Sequence, residues 1–191
     1  MKVATNRDET RPKVRLYHGS NVEVKKPSLR MGRKRTDFGR GFYTTTQKEQ
    51  AEHWTSIKLD RAKRGRKIVS VYEVDETLLT NPELKKRDFN GPDEDWLNFV
   101  VNCRKGVEHD YDLVFGPVAN DKVFTVVNLY ESGVLDAPAA IAELKAYKTY
   151  NQLSFHTQRI ISELRFVESY EVKEGLIRNN SDTFTDKGSL F

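Results

Sequence analysis

The sequence is poor in residues that build covalent or metal-stabilised folds. It has 191 residues but one cysteine, Cys103, two methionines and four histidines. A single cysteine excludes an internal disulfide and any multi-cysteine zinc site. No run approaches the ~18 apolar residues of a membrane-spanning helix, and residues 1–13 contain no apolar stretch typical of a secretory signal. We therefore expect a soluble, cytoplasmic protein without a membrane partner.

The charges are abundant and nearly balanced. There are 32 Lys and Arg against 28 Asp and Glu, so the formal net charge is +4. An excess this small does not by itself indicate a nucleic-acid-binding protein. The length predicts one domain at 14–172, with a flexible N-terminus at 1–13 and a polar tail at 173–191. Neither heptads nor a long apolar stripe is present, so we expect a monomer.

Helix and strand signals mix along the chain without a regular alternation. Such an order is typical of an α+β protein rather than a doubly wound sheet. Residues 19–39 read as a long loop and residues 75–92 as turns. Thr46 and Glu49 have the spacing of a capping box at a helix start. The predicted strands are 14–18, 41–45, 68–74, 112–115, 151–156 and 165–172, and the predicted helices are 47–64, 96–103, 121–132 and 138–147.

Two short segments stand out as candidates for chemistry. His18 ends a predicted strand immediately before Gly19, which can let a ligand approach the backbone. A histidine in this position is more often a structural residue than a catalytic one. The segment 38–45 places two glycines before an aromatic strand. Tyr43 either alternates between core and solvent, as in any strand, or forms an aromatic wall for a flat ligand.

Three ordered segments resemble the H–Y–E signature of the diphtheria-toxin and PARP-type ADP-ribosyltransferases. They are Leu-Tyr-His-Gly-Ser at 16–20, Gly-Arg-Gly-Phe-Tyr at 39–43 and Tyr-Asn-Gln at 150–152. The segments 36–45, 116–121 and 152–155 more closely resemble a bacterial and phage family of unknown function related to these transferases. Several of its members resemble toxins encoded beside a small antitoxin. The resemblance implies a split antiparallel and mixed β-sheet core with flanking helices.

The resemblance also implies roles for individual residues around bound NAD. His18 would hold a ribose hydroxyl, Gly19 would pair its backbone with the nicotinamide amide, and Tyr43 would stack on the nicotinamide ring. Ser20 and Gly41 would approach the same pocket. The second aromatic wall of the family lacks a matching tyrosine here, and His53 or Trp54 is the candidate substitute. No metal is implied.

Gln152 stands where the family has its signature glutamate. In the family that glutamate hydrogen-bonds the 2′-hydroxyl of the nicotinamide ribose. A glutamine carbonyl oxygen still accepts this bond, but it brings no negative charge and cannot act as a base. Gln152 therefore argues against polymer synthesis and favours mono-ADP-ribosyl transfer from NAD to a protein or nucleic-acid acceptor. A catalytically inactive NAD pocket or a nucleic-acid-binding module is the alternative, and an RNA 2′-phosphotransferase ranks lower.

Two further features have open interpretations. In the segment 116–121, Asp121 either caps a helix, the reading we favour, or takes a proton from the acceptor. The basic loop at 25–35 is either a solvated surface or a loop that covers NAD, in which case Arg30 or Arg33 contacts the pyrophosphate. A second basic run lies at 58–67, and both runs are compatible with binding to RNA or DNA.

Overall fold

The computed structural model describes residues 11–118, 121–146 and 150–173. Most of the predicted N-terminal segment and tail therefore lies outside the described residues, and those two boundaries stay predictions. The strands are β1 (Lys13–Ser20), β2 (Phe42–Thr44), β3 (Ile68–Asp75), β4 (Lys86–Asp88), β5 (Leu113–Pro117), β6 (Asn151–Phe155) and β7 (Arg165–Glu171). The helices are α1 (Lys48–Ala62), α2 (Glu76–Thr80), α3 (Glu94–Lys105), α4 (Asp121–Glu131), α5 (Ala137–Lys145) and α6 (Gln158–Ile161), and a 3-10 turn spans Leu29–Met31.

The strands form two sheets, which confirms the α+β class. One is antiparallel with the order β1-β3-β7, and the other is mixed with the order β2-β6-β5-β4. Only the β4–β5 pair is parallel among the described pairs. One apolar cluster lies between the two sheets, because it contains Leu16 and Tyr72 of the antiparallel sheet together with Phe42, Leu113 and Phe155 of the mixed sheet. A second cluster packs the other face of the mixed sheet against α3, α4 and α5. Among the described residues, no helix has both the length and the apolarity to cross a membrane.

The start of α1 differs from the predicted capping box. Gln47 is the N-cap residue and its side chain makes no capping bond. The hydroxyl of Thr45, not that of Thr46, accepts the Gln47 N–H at 3.1 Å. Lys63, in the left-handed conformation, ends the helix before Gly65. The prediction of α1 was correct, but the identity of the residues at its two ends was wrong.

Two elements inside residues 75–92 were missed. α2 has five residues and no buried side chain. β4 consists of Lys86, Arg87 and Asp88, and its residues pair in parallel with Leu113, Val114 and Phe115 of β5. Neither element has the hydrophobic periodicity on which a sequence prediction depends.

Candidate functional site

Among the described residues, backbone hydrogen bonds join the two sheets at one residue pair. The Tyr17 N–H donates to the Thr45 carbonyl at 2.8 Å, and the Thr45 N–H donates to the Tyr17 carbonyl at 3.0 Å. Extending the β2–β6 register by one residue places Thr45 opposite Gln152, which itself pairs with Gly116 of β5. The junction therefore lies beside all three residues of the resemblance, at the ends of β1, β2 and β6.

His18 spans the gap between β1 and β2. Its Nδ1 lies 2.7 Å from the carbonyl oxygen of Tyr43, and because a carbonyl only accepts, Nδ1 carries the hydrogen. The ring lies 4.5 Å from the ring of Phe42. Burial lowers the pKa of His18 from 6.5 to about 4, so the imidazole is neutral at neutral pH. Nε2 then presents a lone pair, and within the described chain it accepts no hydrogen bond.

The glycines of both segments make room for protein atoms. A Cβ on Gly19 would overlap the carbonyl oxygen of Ala51 in α1, and one on Gly41 would lie 2.7 Å from Cε1 of His156. The space that a Cβ of Gly19 or Gly41 would occupy is therefore filled by protein atoms, and the expectation that it is open to a ligand was wrong. The backbone of Gly19 is a separate matter: strand alternation directs its N–H and C=O to the edge used by Tyr17, away from β3.

Tyr43 is held by its hydroxyl group. The hydroxyl donates to the Gly39 carbonyl at 2.6 Å, lies 2.7 Å from the Thr36 hydroxyl and accepts the Phe38 N–H at 3.1 Å. Burial raises the pKa of this phenol, so it stays protonated. The side chain remains partly exposed. The turn at 36–39 thus fixes the ring while leaving part of it accessible.

Gln152 contains an unsatisfied polar group. Its side chain is 8% exposed, and its Nε2 is buried without a hydrogen-bond partner. A buried donor without a partner costs about 1–3 kcal/mol of folding free energy. Such groups are rare in native proteins and call for an explanation such as a ligand or a bound water. A ligand or a bound water at the junction would supply the partner that this amide lacks among the described residues.

Two polar residues beside Gln152 were missed by the sequence analysis. The Thr45 hydroxyl lies 2.6 Å from Oε1 of Gln50, to which it donates, and Gln50 is 5% exposed. Gln50 therefore has a partner where Gln152 has none. Thr45 ends the segment 36–45 of the resemblance, but no role was predicted for it or for Gln50, which lies in the first turn of α1.

Helix α1 decides between the two candidates for the second aromatic wall. His53 is exposed on the helix surface. Trp54 is half-buried, and its Cβ lies 3.1 Å from the position of a Cβ built on Gly19. The structure thus places Trp54, rather than His53, beside the end of β1.

Lys58 lies one turn after Trp54 on the same helical face. Burial lowers the pKa of its amine, and the nearby charges of Arg33 and Arg61 lower it further. Lys58 also lowers the pKa of His18, although less than burial does. Within the described chain Lys58 has no carboxylate partner. In the basic loop, Arg30 lies in the 3-10 turn, and both Arg30 and Arg33 are exposed.

Ser20 and Asp121 are two further residues that were predicted for the site. Ser20 is buried at the end of β1, opposite Ile68. Asp121 is the first residue of α4, and the prediction for its side chain lies outside the described residues.

Two histidines that the sequence analysis did not assign brace the glycine-rich turn. His156 Nδ1 donates to the Arg40 carbonyl at 2.9 Å, and His109 Nε2 donates to the Phe38 carbonyl at 2.9 Å. Their ring centroids are 4.6 Å apart. Both residues hold the segment that contains Tyr43, and the His156 ring also lies edge-on to the Tyr43 ring, with 6.3 Å between the centroids. Nε2 of His156 lies 2.8 Å from the Ser154 hydroxyl of β6. In the described part of the chain, no group of three His, Cys, Asp or Glu is placed to hold a metal ion.

Fold and site define an α+β protein with a polar site at the junction of two sheets. The chain belongs to the family described as "Protein of unknown function (DUF3990)", whose model matches residues 14–166. No curated protein and no solved structure matches the chain.

Proposed function

We propose that the chain is an NAD-dependent mono-ADP-ribosyltransferase. The proposal is supported most by the buried, unpartnered amide of Gln152, which lies on the strand beside β2, whose Tyr43 carbonyl accepts the hydrogen bond from His18. These are the positions that the H–Y–E resemblance names, and they come from three different strands. The split arrangement of one antiparallel and one mixed sheet agrees with the fold that the resemblance implies.

The residues at the junction fit the polar groups of NAD. His18 Nε2 would accept a hydrogen bond from a ribose hydroxyl, and the Gly19 backbone edge would pair with the carboxamide. Tyr43 and Trp54 would flank the nicotinamide ring. Lys58 and Arg33 would face the pyrophosphate, because both are cations without a carboxylate partner among the described residues.

The reaction breaks the bond between nicotinamide and the ribose C1′, sends the bonding electrons to nicotinamide, and joins C1′ to a nucleophile that loses a proton. The chain would orient the ribose with Gln152 and exclude water with Trp54. Because Gln152 has no negative charge, it would stabilise the developing positive charge of the sugar less than a glutamate does. Its neutral amide also fits a single transfer rather than chain elongation.

Nicotinamide release from NAD by the purified chain, with and without cell lysate, tests the proposal. We expect release that requires lysate and falls at least about tenfold in Trp54→Leu, because one aromatic wall is lost. His53→Ala is the matched control on the adjacent, exposed position and should retain activity. Gln152→Glu restores the charge of the resemblance and should raise the rate.

Two results would contradict the proposal. Equal loss of release in His53→Ala and Trp54→Leu would mean that the ring is not placed as described. Tight NAD binding without release under any condition would favour an inactive NAD pocket, the second candidate, which the missing charge of Gln152 supports.

The proposed role as a cytoplasmic toxin or effector beside a small antitoxin depends on the resemblance alone. Induced expression should arrest bacterial growth, and Trp54→Leu should relieve the arrest if nicotinamide release causes it. Arrest that persists in a folded Trp54→Leu protein would separate toxicity from NAD chemistry.

A further inference from the structure

The segments 25–35 and 58–67 contain many basic residues. Three of their basic residues have acidic partners: Lys25 with Glu23, Lys63 with Asp60, and Arg66 with Glu171. Eight others have no carboxylate partner among the described residues. They are Lys26, Arg30, Arg33, Lys34, Arg35, Lys58, Arg61 and Arg64. All of them except Lys58 are exposed, and we call these eight residues the basic surface.

The fold brings the two segments together although they are distant in sequence. Asn21, just before the first segment, accepts the Arg66 N–H at 2.9 Å and donates through Nδ2 to the Arg64 carbonyl at 3.1 Å. Gly65 fits against Asn21, because a Cβ there would overlap the Asn21 carbonyl. Further along, the charge of Arg33 acts on Lys58. The end of the second segment thus lies against the residues that lead into the first.

The amount of charge exceeds what NAD requires. The pyrophosphate of NAD carries about two negative charges, which Arg33 and Lys58 are sufficient to neutralise. Six members of the basic surface then remain, all exposed. Placing like charges side by side costs energy unless a polyanion binds there. A nucleic-acid strand provides regularly spaced phosphates, and its affinity grows with each one neutralised.

We infer that the basic surface docks a nucleic-acid strand, which serves as the acceptor of the ADP-ribose; the acceptor role depends on the proposed function. A nitrogen or oxygen of the strand forms the new bond to C1′ and releases a proton to solvent, and nicotinamide leaves with the electrons of the broken bond. RNA and DNA share the sugar-phosphate backbone that the basic surface would contact, so each is tested separately.

The binding test uses labelled single strands of about 20 nucleotides, in RNA and DNA form, titrated with the full chain while salt rises from about 50 to about 200 mM. We expect the logarithm of affinity to fall linearly with the logarithm of salt, with a slope of about −3 or steeper. Lys34→Gln/Arg64→Gln removes one charge from each segment. This double variant should make the slope shallower by about 1.5 and lower the affinity near 0.1 M salt by about 25-fold.

Lys13→Gln/Lys145→Gln is the matched control. It also removes two exposed charges, one from the start of β1 and one from the end of α5, and it should bind like the native chain. Equal weakening in both double variants, or a slope near zero, would overturn the inference.

Transfer from labelled NAD to the two strands separates the inference from the proposed function. Label on RNA or DNA that Lys34→Gln/Arg64→Gln loses, with basal nicotinamide release unchanged, would support both. Label that appears on lysate protein and on neither strand would overturn the inference and leave the transferase intact. Salt-dependent strand binding without any nicotinamide release would retain the docking surface and reject the transferase.

Discussion

Replacing Gln152 with methionine separates a ligand-binding amide from a structural one. Methionine matches the length of glutamine and has no hydrogen-bonding donor. Because Nε2 of Gln152 is buried and unpartnered, its removal breaks no hydrogen bond and abolishes a desolvation cost of about 1–3 kcal/mol. We expect Gln152→Met to raise the free energy of unfolding by about 1 kcal/mol and the melting temperature by about 2–4 °C.

Gln50→Met is the matched control, because both glutamines are buried and only Gln50 accepts a hydrogen bond, from Thr45. We expect Gln50→Met to lose about 1 kcal/mol, since the Thr45 hydroxyl keeps a longer alternative acceptor in the Asn151 carbonyl at 3.2 Å. Urea unfolding of the three proteins measures both changes.

A gain in stability accompanied by loss of nicotinamide release would be the expected signature of a functional residue. If Gln152→Met loses more than about 1 kcal/mol, the amide stabilises the fold, and its interpretation as a ligand-facing group is refuted.

Two further perturbations test the packing around the site. Gly19→Ala should destabilise the fold by about 1–3 kcal/mol in urea unfolding, because the methyl group overlaps the Ala51 carbonyl; Gly91→Ala, with open space around it, should not. Acidification should lower the free energy of unfolding between about pH 6.5 and pH 4 and leave it unchanged above pH 6.5. Burial lowers the pKa values of His18 and His156 to about 4, so in this range only the unfolded chain takes up protons. Each histidine should contribute a loss of about 2 kcal/mol between about pH 7 and pH 5, measured by urea unfolding of the native chain and His156→Asn; a native curve that is flat over this range would contradict the assignment.

The fold was predictable where side-chain patterns repeat. The alternating residues of β1 and the β-branched run of β3 gave both strands within two residues of their observed ends. β4 was not predictable, because its three charged residues are ordered by pairing with β5 and not by their own hydropathy. The one-residue error at the start of α1 has a similar cause, since the contact between Thr45 and Gln50 depends on the sheet junction.

The candidate site was also predictable only in part. The resemblance selected His18, Tyr43 and Gln152, and the structure brings their strands together; their roles stay predictions. Lys58 and the preference for Trp54 over His53 were not predictable to the same degree, because they depend on which face of α1 packs against β1. A further signal existed in the sequence: Ala51, Trp54 and Lys58 share one helical face at spacings of three and four.

The sheet junction also explains why polar groups concentrate at this point. Among the described residues, Tyr17–Thr45 is the one backbone-bonded pair between β1 and β2, and the two strands continue into different sheets. The protein satisfies the Tyr43 carbonyl by turning His18 onto it. It does not satisfy Nε2 of Gln152, two strands away. A junction with a purely structural role gains stability by filling that position with an apolar side chain. Keeping a buried donor without a partner lowers stability, and a bound water or a ligand with an acceptor offsets that loss.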